Sequence, residues 1–543
     1  MNDVLIMQLK REVNELMKKT EASLLRHDGK IAELCKYLRD NLSNSLALLL
    51  DTMVSSGELN DLITTTVNSN IELLQKHSTE YVNLKEYGAK GDGFTDDTEA
   101  LKSAMENHKN LYLPKGTYIF NGSIENAKAC NIMGDNAEIK CDIAGPEDYM
   151  FKYDGVDRVS ITGVKFNSNN LRRGNVFIAN TPMVTIKDCE FTGYTNKYGY
   201  YQTDSSLLVR DAIKTHISNC YFHDTGYELA EGSLNRAITL ERIEHAEVRD
   251  SKFYKVNQGI VAANHKTIVA GCTFDYVEDN NIYNLTGEGV RGELIVTDNY
   301  ISNRFDEGIV TEGKVNIISN NIFDFAPHSI KICNSVEKMI ITNNVFTNIK
   351  NKENKSGVIF SSRDANYEIT DMTFKGNIID IPVNCEGNGQ IMDFPIVDRL
   401  LISDNNITYG AVSYGRGIHM NKVDKLIFTN NFMTDRTDNQ NSNAISYETQ
   451  PVNQVITGNY LGCLRVVANN SQNLEYVTTN MTPYLQTHNS NKIYTGTCAP
   501  TAGTWKRGDV IFNKFANAGQ PLGWICIADG EPGTWKVMGT IAS

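Results

Sequence analysis

The chain has 543 residues, too many for one compact core, so two to four structural units are expected. A formal net charge of −13 with no run of Lys or Arg argues against nucleic acid or an anionic membrane surface as a partner. The 11 Cys are scattered, odd in number and without a CxxC pair, so they read as small buried hydrophobes rather than a zinc site or a disulfide framework. That usage fits synthesis in a reducing cytoplasm. The opening MNDVLIMQLKREVNELMKK lacks a charged-then-apolar leader pattern, and the apolar stretch at 46–50 is too short to span a bilayer, so no membrane insertion is expected.

Residues 1–80 place Leu9, Val13, Leu16 and then Ile31, Leu34, Leu38 at three- and four-residue steps, the spacing of amphipathic helices. Breaks near Asp28-Gly29 and Ser55-Ser56-Gly57 divide them into two or three helices. Heptads are not sustained, so these helices are expected to dock on another protein or on symmetry mates.

From Tyr81 to Leu101 the pattern is a strand, a Gly-rich loop and a helix start, with Asp96 placed to cap the helix and Glu99 to reach back. The helix is expected over about 97–107, followed by a strand and turn at Leu111–Tyr118. Asp92, Asp96 and Asp97 lack the later Glu of an EF-hand loop, which favours capping over calcium binding. A solenoid needs such a cover, since its open end would expose apolar side chains and strand edges. The segment is similar to the head motif of pectate-lyase-like β-helix proteins. With the helical N-terminus, it resembles bacteriophage tailspike or appendage proteins.

Beyond residue 160 a strand phrase recurs, as in ISNCYF, VTDNYI, ISNNIF, ITNNVF, ISDNNI and ITGNYL. Its aligned position reads Val164, Cys189, Cys220, Ser251, Cys272, Asn299, Asn321, Asn344, Asn377, Asn406, Asn431 and Asn459, at spacings of 21 to 33 residues. Strands that keep register while loops vary in length define coils of a solenoid. An Asn at a buried turn tolerates left-handed backbone and can bond the Asn of the next coil, so the seven form a ladder. The fold class is therefore all-β: a right-handed parallel β-helix over 161–480, capped by 81–160. The last segment, 481–543, holds all three Trp among short Gly-rich strands and reads as a small β-module with Trp in its core, similar to modules on phage tail proteins. Trimer closure is a second structural role for it.

The strands before each ladder turn also align: Ala237–Glu241, Gly259–Ala263, Asn281–Leu285, Gly308–Glu312 and Ser329–Cys333. Their second residue should point inward, and alternation then exposes Thr239, Glu241, Glu312 and Lys331 on one outer face. Just before these strands stand Arg236, Gln258, Asn280, Glu307 and His328, preceded by Asp279 and Asp306. Coils lie about 4.8 Å apart, so Asp279 and Asp306 should be neighbours, with Glu307 and His328 beside them. Carboxyls that close acquire different pKa values, which is what acid and base roles at a glycosidic bond require. Asp279, Asp306 and Glu307 are thus the candidate catalytic residues. Arg236, Glu241, Glu312, His328 and Lys331 are candidate glycan contacts. Arg416, His419, Asn421 and Glu448 form a rival outward set on later coils, and GxSxG is missing, which disfavours acyl transfer.

The resemblance implies a homotrimer in the virion tail, made in the host cytoplasm and held by other tail proteins through residues 1–80. Its expected activity is binding, and cutting, of host surface polysaccharide such as capsule or teichoic acid, with no cofactor and no metal. The alternatives are a receptor-binding spike without turnover and a free polysaccharide lyase that would need calcium ligands such as Asp279 and Asp306 with Lys331 as base.

Overall fold

The computed structural model describes residues 81–542 apart from 144–148, 173, 195–204, 227–234, 288–289, 304–305, 326–327, 350–356, 362–366, 382–390, 410–415, 436–442, 450, 452, 462–464 and 469–492. The chain divides at Val82/Asn83, and the helices expected over 1–80 lie outside the described residues.

The architecture is a parallel β-helix. Each strand pairs in parallel with its counterparts one coil before and one coil after. Met183–Lys187, for example, lies between Arg158–Asn167 and Lys214–Ser218, and Glu190–Thr192 pairs with Tyr221–Thr225. Parallel pairing begins within the segment read as a cap, where Asn110–Leu113 pairs with Asn131–Lys140 and the latter with Arg158–Asn167. One sheet matters most below: β1 (Arg236–Glu241), β2 (Gln258–Ala263), β3 (Ile282–Asn284), β4 (Glu307–Thr311), β5 (His328–Ile332), β6 (Ile359–Ser361), β7 (Met392–Ser403), β8 (Arg416–Thr429) and β9 (Asn443–Thr449). Its inward rung, Ile238, Ile260, Ile282, Ile309, Ile330 and Ile359, runs in register and is fully buried. A second interior column is aromatic: Phe166, Phe191, Phe222, Phe253 and Phe274 stack with centroids 4.5–5.3 Å apart. Identical rings one rise apart bury large apolar area while keeping an offset-stacked geometry.

The Asn ladder is present, with one slip corrected. Its rungs are Asn299, Asn321, Asn344, Asn377, Asn405, Asn431 and Asn459, so the ladder residue of ISDNNI is Asn405, while Asn406 is exposed and pairs with Ile378. Two adjacent Asn made the slip, and only the register of Ile407 with Ile379 resolves it. Each amide donates to the next rung's carbonyl oxygen, from Asn299 to Asn321 at 2.9 Å through to Asn431 to Asn459 at 3.0 Å. The left-handed turn residue is the one before the ladder: Asp298, Asn320, Asn343, Asp404 and Asn430 have φ of 56° to 59°. Asp and Asn tolerate that conformation best among residues with a Cβ, and the division leaves the ladder residue free to point inward. Asn344 accepts from both the backbone N–H and the side chain of Asn321, at 2.9 and 3.0 Å, and donates to Asn377 at 3.1 Å. Asn344→Leu is therefore expected to cost about 1–3 kcal/mol in denaturant unfolding, because it strands the buried N–H of Asn321 and removes the donor to the Ile318 carbonyl.

At the N-terminal end, helix α1 spans Thr98–Asn107 and buries Leu101, Ala104 and Met105. The N-cap residue is Asp97, one later than expected, and its side chain makes no capping bond; the Asp96 carboxylate accepts from the Thr98 N–H at 2.9 Å, and Glu99 is placed toward Lys102, 3.7 Å away. Asp97 instead secures the Gly-rich loop, accepting from the N–H groups of Lys90 and Gly91 at 2.7 and 3.1 Å. In the C-terminal segment, Ile493–Gly496, Val510–Asn513, Gly523–Ala528 and Thr534–Val537 form a separate sheet. Trp505 is buried there with Tyr494, Ile511 and Cys526, and Trp524 and Trp535 pack against this core.

Candidate active site

The site is made where the chain enters β1 to β5. At these entries the alternation breaks. Gly308 faces the core, where an added Cβ would meet Ile301 and Phe323 at 3.4 Å, and the next residue, Ile309, also points inward. Gly259 repeats this two strands earlier, on β2, where a Cβ would sit 3.0 Å from Phe274. Two successive inward residues leave Glu307 on the outer side, together with Lys331 of β5. Glu307 Oε1 lies 2.6 Å from Lys331 Nζ, and Asn280 donates to Oε2 at 3.0 Å.

Around this pair the acidic residues converge: carboxylate oxygens of Asp279, Asp306 and Glu307 all lie within 4.8 Å of one another. Gln258 donates its amide N–H to Asp279 Oδ2 and accepts from Arg236 Nε at 3.2 Å. A chain of polar contacts thus crosses the sheet from Arg236 through Gln258, Asp279, Asp306 and Glu307 to Lys331. Burial, followed by the hydrogen bond and charge of Glu307, pushes Asp306 up to about 7. Asp279 is raised as well, mainly by burial. Burial also works against the charge of Glu307, but hydrogen bonds from Asp306 and Lys331 outweigh it and hold that carboxyl below its usual range. The result is a cluster in which Asp306 holds its proton to the highest pH and Glu307 stays ionised to the lowest. The same three residues could hold a cation through oxygen ligands, although Glu307 already has the Lys331 ammonium beside it.

Glu307 and His328 stand in register, and each is only 2 % exposed, so both lie beneath the solvent surface rather than open to it. Thr239 is corrected too: it points outward by alternation but is fully covered, within an outer column whose neighbours Leu208, Val261 and Val310 are also buried. Glu312 is half-buried and occupied, accepting from Tyr283 Oη at 3.3 Å and from the N–H and hydroxyl of Thr286 at 3.2 and 3.3 Å. Glu241 is half-buried, 3.9 Å from Arg242. Gln258 and Asn280 were absent from the expected site because they carry no charge; the signal was their place in the column of Arg236 and Glu307.

The rival set lies on the same sheet. His419 of β8 is in register with Asp393 of β7 and Ser446 of β9. Its Nδ1 is 3.0 Å from Ser446 Oγ, and its Nε2 is 3.5 Å from Glu448 Oε1. Arg416 opens β8 opposite Asn443, and its side chain lies outside the described set. Lys331 aligns with Phe360, and β6 aligns Ile359 with Met392, so the two clusters share one outer column.

Residues 81–291 match the family described as rhamnogalacturonase A/epimerase, pectate lyase-like, a stretch that contains Asp279 but ends before Asp306. Over 289 residues the chain is 24% identical to the preneck appendage protein of Bacillus phage PZA, covering 42% of this chain and 33% of that protein. The chain is similar to phage appendage proteins built on a pectate-lyase-like β-helix. The match spans about a third of those relatives' length. Alginate lyase 7 of Azotobacter vinelandii is 28% identical over 237 residues, covering 40% of this chain and 24% of the lyase. Among solved structures, the tailspike protein of E. coli bacteriophage HK620 in complex with a pentasaccharide aligns at 12% identity and a TM-score of 0.45, covering 69% of this chain and 81% of that one.

Proposed function

We propose that the chain is a tail appendage that binds host surface polysaccharide and cuts it at Asp279, Asp306 and Glu307. The observation that carries this reading is the convergence of three carboxyls within 4.8 Å, in which burial and the neighbouring Glu307 push Asp306 up to about 7. Such a group can donate its proton to a glycosidic oxygen as the bond breaks. Asp279, half-buried beside it, is the partner carboxylate that attacks the anomeric carbon or activates water. Glu307, tied to Lys331, keeps the proton on Asp306. Carboxyl oxygens within 4.8 Å of one another leave no room for the wider spacing by which inverting enzymes admit a water. A lyase reading is weakened by Lys331, because the bond and charge of Glu307 raise its pKa against the effect of burial and so disfavour the free amine that a base requires.

The appendage setting comes from the phage relatives, and attachment to other tail proteins through residues 1–80 is part of the same proposal, as is a homotrimer. Self-association is supported by an outward column in which Tyr300, Ile322, Ile378, Phe432 and Tyr460 are each at least 36 % exposed, interrupted by the exposed polar Asn406. A receptor-binding spike without turnover is the second reading. It is favoured by the internal pairing of the polar chain, in which Glu307, Asp279 and Arg236 already have partners.

The pH dependence of chain cleavage tests the enzymatic reading. Asp306 is raised from 3.8 to about 7, so its protonated form is favoured by folding. Its contribution to stability is complete below 3.8 and is lost as pH rises through about 7. Release of reducing ends should therefore fall above about pH 7 in the parent. In Glu307→Gln, where the neighbouring charge is gone, the fall should move to lower pH. An alkaline limb that does not move in Glu307→Gln would remove Asp306 as the acid.

A further inference from the structure

We infer that Ser446, His419 and Glu448 form a second centre, one that hydrolyses acyl esters, on the same face of the solenoid. Two adjacent strands, β8 and β9, bring the groups together without any local sequence motif. Ser446 and His419 are register partners, with Oγ and Nδ1 3.0 Å apart, and Glu448 Oε1 stands 3.5 Å from Nε2 on the far side of the ring. Register across β7, β8 and β9 also puts Asp393 on the rung before His419. His419 and Asp393 are 3 % and 1 % exposed, Ser446 8 %, while Glu448 is open to solvent. An imidazole so enclosed between a hydroxyl and carboxylates is suited to take the serine proton and to be stabilised as imidazolium. Asn421 follows two residues along β8 and is half-buried, which brings an amide donor to the same side for a developing oxyanion.

The step balances as ester plus water giving alcohol plus acid. Ser446 Oγ attacks the acyl carbonyl as its proton passes to His419 Nδ1. The tetrahedral intermediate then expels the sugar oxygen, which takes that proton. Water attacks the acyl-serine, giving its proton to His419, and the carboxylic acid leaves as Ser446 regains the proton. The small exposed surface of Ser446 suits a small acyl group such as acetyl. Lys331 and His419 are three rungs apart on one column, roughly 14 Å at about 4.8 Å per rung, so one bound glycan can reach both centres. That the ester is carried by the polysaccharide rests on the reading above, whereas the hydrolysis itself does not.

The test uses the full chain with p-nitrophenyl acetate and a fluorophosphonate probe. The parent should release p-nitrophenol and carry the phosphonyl adduct on Ser446. Ser446→Ala should lose the adduct, and His419→Gln should slow ester hydrolysis by about 10²-fold or more. Glu448→Gln, at an exposed position, guards against misfolding as the explanation and should slow hydrolysis more modestly. Asp306→Asn should leave both readouts unchanged, which separates this centre from polysaccharide cleavage. A parent that gains no adduct, or an adduct and ester hydrolysis that persist in Ser446→Ala, would overturn the proposal.

Discussion

Asp306→Asn should fold and bind host polysaccharide as the parent does, yet shorten it at least about 10³-fold more slowly. The substitution keeps the shape of the side chain and a hydrogen-bond donor toward Glu307 and Asp279, so the polar chain across β1 to β5 can persist. What it removes is an ionisable group that burial and the neighbouring Glu307 push up to about 7. Melting temperature and glycan adsorption should stay close to the parent's while reducing-end release collapses. Asp279→Asn should behave similarly, since an amide can neither attack nor accept a proton from water. If both variants cleave at the parental rate, the acidic cluster is structural.

Lys331→Met is expected to give the largest loss of stability. Glu307 has a side chain only 3% exposed, and its closest charge partner is the Lys331 ammonium at 2.6 Å. Removing the ammonium leaves the buried Glu307 charge held only by its hydrogen bonds from Asn280 and Asp306, which costs about 3 kcal/mol, the lower end for a broken buried pair. The sign of its pH dependence follows from Glu307, whose carboxyl is held below its ordinary value of 4.5 in the parent. That pairing contributes stability above about 4.5 and loses it as pH falls through the lowered value. Urea unfolding of the variant should therefore differ most from the parent at pH 8 and converge with it in acid, where Glu307 takes up a proton. Equal curves at pH 8 would show that the pair does not hold this corner.

The coil architecture was legible because a solenoid repeats its constraints. A buried Cys, Ser or Asn, a left-handed Asp, Asn or Gly before it and a buried apolar residue two positions after it recur from phrase to phrase, so register can be read without knowing loop lengths. Where two Asn stand together, as at Asn405-Asn406, the repeat cannot say which is buried, and the slip of one residue followed. The turn chemistry was half-read: Asn tolerates the left-handed conformation, but the residue that adopts it is the one preceding the ladder. Asp279, Asp306 and Glu307 could be placed together by stacking alone. Their burial could not, because simple alternation does not foresee the two successive inward residues at Gly308 and Ile309, nor the cover over Thr239. Ser446 was missed for a related reason. Its link to His419 joins adjacent coils and leaves no spacing in the sequence that marks a catalytic pair.

The most direct test of polysaccharide cleavage is the size distribution of purified host surface polysaccharide after incubation with the full chain, followed by size-exclusion chromatography with light scattering. The account predicts progressive shortening by the parent at pH 6 and none by Asp306→Asn, with both proteins retained on the polymer. A parent that binds the polymer and leaves its length unchanged would contradict it and make the chain a receptor-binding spike.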